Sequence, residues 1–295
     1  MIMWLWLAVL STAFIGVSTI LSKIGIKDAD AYVTGAVTNT VLLLGFMGTA
    51  FFSGSFSQVA EMPMSTWYAV AASGAVLSVS WVFYFLGLKG GSVSVFLAIQ
   101  SLTIVVSMIL CAVFIKEKIT PLMIGGTVMI IAGTLLMMDR KELSALKSKH
   151  IWHSDQRWIL FAGLSAICAS VSYVIVKSDT VPIDTNVTAT FRYIIVIVVL
   201  WTILFTKGKS TAFKEVTPKC WLFILAGAAA SAAGHVLVYK ALFIGKAAVI
   251  MTIYRMGMVI SIILSRIFLH EKLGKKGWIG FGILVAGVIL FAAGR

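Results

Sequence analysis

The chain has 295 residues, of which 60% are hydrophobic and 12% charged, with a mean hydropathy of +1.03. Soluble domains carry about 25% charged residues, so an ordinary soluble globular protein is excluded and a polytopic helical membrane protein is indicated. The net charge of +13 does not call for a nucleic-acid partner, because most Lys and Arg stand in short stretches between apolar runs, where they act as topology signals and lipid headgroup contacts.

With polar clusters, glycine and proline as punctuation, the sequence predicts ten apolar segments in chain order, at 3–24, 31–52, 67–88, 92–115, 120–138, 157–177, 187–206, 220–243, 246–269 and 274–293. Each has about the length of a bilayer crossing. Met1 to Leu10 is apolar, with no Lys or Arg ahead of it and no small-residue cleavage site after it, so it reads as the start of the first span and not as a removable signal. The one long polar stretch, Asp139 to Arg157, divides the spans into two sets of five. The expected organisation is all-α, with residues 1–140 as a first five-helix unit, 141–156 as a polar linker and 157–295 as a second unit. Cys111, Cys168 and Cys220 lie in or beside apolar segments without metal-ligand spacing, which argues against a disulfide or zinc framework.

Sliding the chain over itself by 154 positions aligns residues 4–141 with 158–295 without a gap, and about 32 pairs are identical. The matches include Trp4 with Trp158, Ser11 with Ser165, Lys23 with Lys177, Trp67 with Trp221, Gly91 with Gly245, Phe114 with Phe268, Glu117-Lys118 with Glu271-Lys272, Gly126 with Gly280 and Gly133 with Gly287. Shared apolar composition would scatter its matches over Leu, Val and Ala. Because five is odd, the second unit enters the membrane from the opposite side, so the two repeats are inverted about an axis in the membrane plane. Such an architecture suits alternating access, with a substrate site near the midplane between the repeats.

These residues resemble the drug/metabolite transporter superfamily, and within it the ten-helix EamA-like branch. The resemblance spans nearly the whole chain and rests most on Phe114 to Gly126 and Phe268 to Gly280, where a Glu ends a span and a Gly-spaced helix follows. Lys23 and Lys177, the run Phe191-Arg192-Tyr193 and the run Tyr239 to Leu242 add to it. Ile104 and Met258 stand where family members often carry proline, Phe14 where an aromatic, usually Trp, is common, and Thr38 where the second repeat has Arg192. The resemblance implies a metabolite transporter, an exporter or exchanger, multi-pass in a bacterial cytoplasmic membrane. It also implies a cytoplasmic N-terminus, whereas the basic residues of the central loop, of Lys207 to Lys219 and of Lys272 to Lys276 favour the reverse orientation.

Ionisable residues deep in a span are costly and so are candidates for function. At about 1.5 Å per residue, Arg192 lies about 7–8 Å, His235 about 12 Å and Arg255 about 13–14 Å below the face where the seventh span begins. None of the ten segments holds an Asp or Glu at that depth. An aqueous cavity and an anionic ligand group, gripped bidentately by guanidinium, account for these cations. Tyr254, beside Arg255, offers a hydroxyl and a ring face. Arg192 can instead snorkel, and His235 can be a neutral, hydrogen-bonded core residue. Gln100 and Trp81 are the repeat mates of Tyr254 and His235 and, with Tyr84, are further substrate-contact candidates, packing and interhelical hydrogen bonds being the alternative. Lys23 and Lys177 read as a gate or as interface anchors. Glu117 and Glu271 read as helix caps or terminators. Gly125, Gly126, Gly133, Gly280, Gly282 and Gly287 suit close packing of the fifth and tenth spans, or a homodimer face.

The leading expectation is a secondary transporter moving a small metabolite with a carboxylate or phosphate, such as an amino acid or derivative. No G-x-x-x-x-G-K-[ST] sequence exists, so transport has to run on a gradient, and no cofactor or metal is called for. An intramembrane enzyme would need a catalytic constellation that is missing, since His150, His153 and Asp155 in the linker form no ligand pattern. The alternative is a non-transporting regulatory or lipid-translocating protein on the same scaffold. The expected partners are a small-molecule substrate and the lipid bilayer, without nucleic acid.

Overall fold

Apolar runs in hydrocarbon must satisfy each backbone N–H and C=O within the segment, so they fold as helices. The computed structural model describes residues 3–147, 155–178, 181, 183–244, 250 and 253–294. Its α-helices of eight residues or more are α1 (Met3–Ile26), α2 (Ala31–Phe52), α3 (Met64–Gly90), α4 (Val93–Gln100), α5 (Leu102–Leu110), α6 (Pro121–Met137), α7 (Arg140–Lys147), α8 (Arg157–Ser178), α9 (Thr185–Thr206), α10 (Pro218–Ile244), α11 (Gly257–Phe268) and α12 (Lys275–Ala293). Among the described residues eight segments are long and apolar enough to cross a membrane, counting α4, α5 and the π-turn Cys111–Ile115 as one; α6 is a shorter apolar helix. The ninth expected segment is described only in part, through Ile250, residues 253–256 and α11.

Local chemistry sets the helix starts. Asp30 and its repeat mate Asp184 accept from the amides of Tyr32 and Asn186, each at 2.8 Å, and so cap α2 and α9. Thr120 caps α6 ahead of Pro121. The expected polar linker begins with a helix, α7, nucleated by a capping box: the Asp139 amide donates to Glu142 Oε2 at 2.7 Å and the Glu142 amide to Asp139 Oδ1 at 2.8 Å. Leu143 anchors α7 against the core around Phe96 and Trp158. Burial pushes the Glu142 carboxyl above the ordinary carboxylate range, opposed by the hydrogen bond from the Asp139 backbone.

Helices that are mates under the 154-residue offset lie against each other and run antiparallel. Along α2 and α9, Ser55 bonds Asp184, Phe46 packs on Tyr193, and Thr40 bonds Trp201. Along α6 and α12, Thr120 at one end bonds the carbonyl of Gly294, and Gly133 near the other meets Gly280. Further contacts are exchanged between repeats, α1 against α10 and its mate α8 against α3. The chain is therefore an all-α, multi-pass bundle of two inverted repeats. We call the side on which α1 begins the first face and the side bearing α7 the second.

The fourth and ninth spans are interrupted at equivalent places. Helix α4 ends at Gln100 and α5 starts at Leu102, while α11 starts at Gly257 after a turn at Met256. Bonds between residues three apart tighten both breaks, from the Ile104 amide to the Ser101 carbonyl at 3.0 Å and from the Met256 amide to the Ile253 carbonyl at 2.9 Å. Hydroxyls from other helices reach carbonyls beside the breaks, Thr134 to Ala98 at 3.1 Å and Thr12 to Ile253 at 2.8 Å. Buried polar partners of this kind make irregular backbone tolerable at membrane depth, and neither break uses a proline.

Candidate functional site

A cavity of about 330 Å³ lies between the repeats, beside both helix breaks. The first repeat contributes Leu77, Ser80, Trp81 and Tyr84 from α3, Gln100 from the end of α4, and Thr103, Ile104 and Ser107 from α5. The second contributes Ser165, Ala169 and Tyr173 from α8, Tyr254 and Arg255 just before α11, and Val288, Phe291 and Ala292 from α12. The lining reaches the first face at Ala292, in the last turn of α12. Toward the second face it stops at Tyr84, about 9 Å of helix short of the end of α3.

Of the residues singled out in the sequence, Arg255, Tyr254, Gln100, Trp81 and Tyr84 share this lining. Trp81 and Tyr84 pack edge to face with centroids 5.2 Å apart, and the Gln100 amide nitrogen lies 3.5 Å from the Ala162 carbonyl. His235 stands one layer behind. Its Nδ1 is 2.8 Å from the Ser231 carbonyl and its Nε2 is 3.3 Å from the Tyr254 hydroxyl.

Arg192 is outside the described lining. It is 9% exposed, so it does not snorkel; its Nη2 donates to Ser172 Oγ at 2.9 Å, and that hydroxyl donates to the Ser73 carbonyl at 2.9 Å. Arg192 thereby joins α9 to α8 and α3, and its Nε has no hydrogen-bond partner among the described residues. Removing the acceptor in Ser172→Ala is expected to cost about 1 kcal/mol, read as a lower unfolding temperature in detergent. An unchanged temperature would remove Ser172 from this role.

The two lysines take different partners. Lys23 Nζ donates to the carbonyls of Leu88 and Gly91, both at 2.5 Å, and so closes the C-terminus of α3 at the second face, where a cation meets the negative end of the helix dipole. Lys177 pairs with Glu117 at the first face. Glu271 accepts from the amides of Val93 at 2.6 Å and Ser94 at 3.1 Å and from the Ser94 hydroxyl at 2.8 Å, so it caps α4 in the opposite repeat. The expected helix-terminating role of Glu271 thus acts on a helix distant in sequence and not on its own.

Sequence reasoning passed over Ser80, Thr103, Ser107, Ser165 and Tyr173 as lining residues. Ser165 and Ser107 carried a usable signal, because each is identical to its repeat mate, Ser11 and Ser261. Among the described residues no group of His, Cys, Asp and Glu could hold a metal ion; His150 and His153 lie outside the described residues.

A family model of EamA-like transporters matches residues 2–139 and 156–293, one match on each repeat. The chain belongs to the EamA-like transporter family. The transporter is 28% identical over 138 residues to an uncharacterized transporter from the cobO 3′ region of a Sinorhizobium species, an alignment covering 47% of this chain and 98% of that relative. A crystal structure of a protein 17% identical in sequence superposes with a TM-score of 0.65, covering 96% of this chain and 94% of that one, a likeness of fold. The protein is a membrane transporter and not an enzyme.

Proposed function

We propose that the transporter carries a small metabolite bearing a carboxylate or phosphate by alternating access, as efflux or exchange across a bacterial cytoplasmic membrane, with Arg255 as the anion contact. The observation that carries this reading is the placement of Arg255 in the wall of a cavity built from both repeats. A guanidinium offers a planar pair of donors that matches either anion, and a site at the junction of inverted repeats can be exposed to each face in turn. Trp81, Tyr84, Gln100 and Tyr254 supply ring faces and polar contacts around the substrate, with His235 and Arg192 supporting the site from behind. Lys23 and Lys177, each tying helix ends together at one face, serve as gate elements.

The test is a thermal-shift panel on detergent-purified protein with amino acids, organic acids, sugar phosphates, nucleotide sugars and cationic amines at millimolar concentration. A ligand at about 100 times its Kd adds about 2.7 kcal/mol of stability. An anionic or zwitterionic compound is expected to stabilise the wild type and not Arg255→Ala. Stabilisation by organic cations alone would make Arg255 structural and sink the reading.

A further inference from the structure

We infer that Lys23 and Lys177 are bolts that shut and release the two faces by exchanging partners: each lysine sits on the C-terminus of α3 or α10 when its face is shut and pairs with a glutamate of the following span, Glu271 or Glu117, when its face is open. The inference rests on the alternating-access reading above and names the contacts that alternate.

Lys23 and Lys177 are repeat mates, as are Glu271 and Glu117, and Trp158 and Trp4. Like residues at like positions here make unlike contacts. At the second face Lys23 Nζ donates to the carbonyls of Leu88 and Gly91, while Glu271 accepts from the amides of Val93 and Ser94, so the two side chains grip the α3–α4 turn from either end. Trp158 is 4% exposed and packs onto the same turn, so close to Gly90 and Gly91 that neither has room for a Cβ. At the first face Lys177 pairs with Glu117 itself and lies over the Tyr173 ring, 5.9 Å from its centroid, and Trp4 is only half-buried.

The difference follows the cavity. Lys177 stands one turn of α8 beyond the lining residue Tyr173, on the side where the cavity reaches the first face. Toward the second face the lining ends at Tyr84; Leu88, one turn further along the same side of α3, is fully buried in a plug with Ile20, Phe96 and Trp158. One molecule therefore holds both arrangements of the same residues, the gripped turn at the shut face and the lysine-glutamate pair at the open one. Under the inverted repeat the opposite state exchanges them, with Lys177 on the end of α10, the mate of α3, and Lys23 on Glu271. The two seats for the ammonium are similar in strength. The ion pair is screened, its side chains being 27% and 39% exposed, and a lysine at a helix C-terminus gains a comparable amount from the dipole. Two nearly balanced seats let a bolt slide either way.

Two reporters read the faces in protein whose Cys111, Cys168 and Cys220 are replaced by alanine: Ser107→Cys in the cavity wall and Leu88→Cys in the plug, each followed by its rate of reaction with a charged maleimide in detergent. Glu117→Gln takes away the open-face partner of Lys177 and leaves the end of α10 available to it. Labelling at position 88 should then quicken about threefold, and labelling at position 107 should slow. In a Lys177→Met background Glu117→Gln should change neither rate, because the effect runs through the lysine. A glutamate that only braces the first face would alter the rates equally with and without Lys177, or not at all, and either result overturns the inference. Rates that rise or fall together at both positions would instead sink alternating access itself, since a path that opens at both faces at once is a channel.

Discussion

Gly133→Val should leave little folded transporter. The α6–α12 contact is a backbone-to-backbone approach between the two repeats: a Cβ on Gly133 would stand 2.6 Å from the Gly280 carbonyl oxygen and 2.7 Å from the Leu284 nitrogen, and one on Gly280 would stand 2.8 Å from the Gly133 oxygen. Side chains can rotate away from an intruding methyl, whereas these atoms belong to hydrogen-bonded helix and cannot. Overpacking ordinarily costs about 1–3 kcal/mol; here the strain falls on main chain on both sides of the contact, so the loss should reach about 3 kcal/mol. The helix-propensity gain of a fraction of a kcal/mol on replacing glycine does not offset it. Gly282, also on α12, is the control, because a Cβ there meets nothing within 4 Å. Gly282→Ala should hold or raise the unfolding temperature. Monodisperse, wild-type-stable Gly133→Val in detergent would show that the α6–α12 distance is not fixed as described.

The second large effect is expected at Glu271, outside the cavity. Its carboxylate satisfies the amides of Val93 and Ser94 and the Ser94 hydroxyl, two of the four N–H groups that any helix start leaves unpaired. Loss of a helix cap costs about 0.5–2 kcal/mol, and charged hydrogen bonds stand at the upper end. Glu271→Ala is expected to lower stability by about 2 kcal/mol, read by thermal unfolding in detergent. Glu271→Gln keeps an acceptor without the charge and should lose about half as much. Equal stability of Glu271→Ala and wild type would show that α4 is capped without it.

The inverted bundle was legible because matching Trp, Gly and Glu-Lys pairs recur at one offset over two sets of five spans. The layer of the cavity was legible too, since Gln100, Trp81, Tyr254 and Arg255 are polar or amphipathic residues at comparable depth in apolar runs. What depth cannot supply is direction around the helix axis. Spans such as α3 and α10 are apolar on all sides, so periodicity marks no inward face, and His235 and Arg192, at similar depth, stand outside the cavity lining. The helix breaks were hidden for another reason. Their usual sign, proline, is absent from Ile104 and Met258, and the carbonyls beside them are met by Thr134 and Thr12, which are distant in sequence. In the linker, Asp139 and Glu142 at capping-box spacing were a sufficient sign of α7, obscured by the polar composition around them.

The antiparallel pairing of repeat mates has a consequence for how the chain is inserted. Two copies of one structural unit must be threaded in opposite senses, so whatever directs threading has to differ between them even as packing residues stay alike. The lysines are placed accordingly. Lys207, Lys209, Lys214 and Lys219, with Lys275 and Lys276, gather on the second face, and their counterparts on the first face are Ser53, Ser55, Ala60, Ser65, Pro121 and Leu122. Identity between the halves records shape, and their divergence in charge records direction. A lone half would need a copy of itself inserted upside down to bury the same glycines.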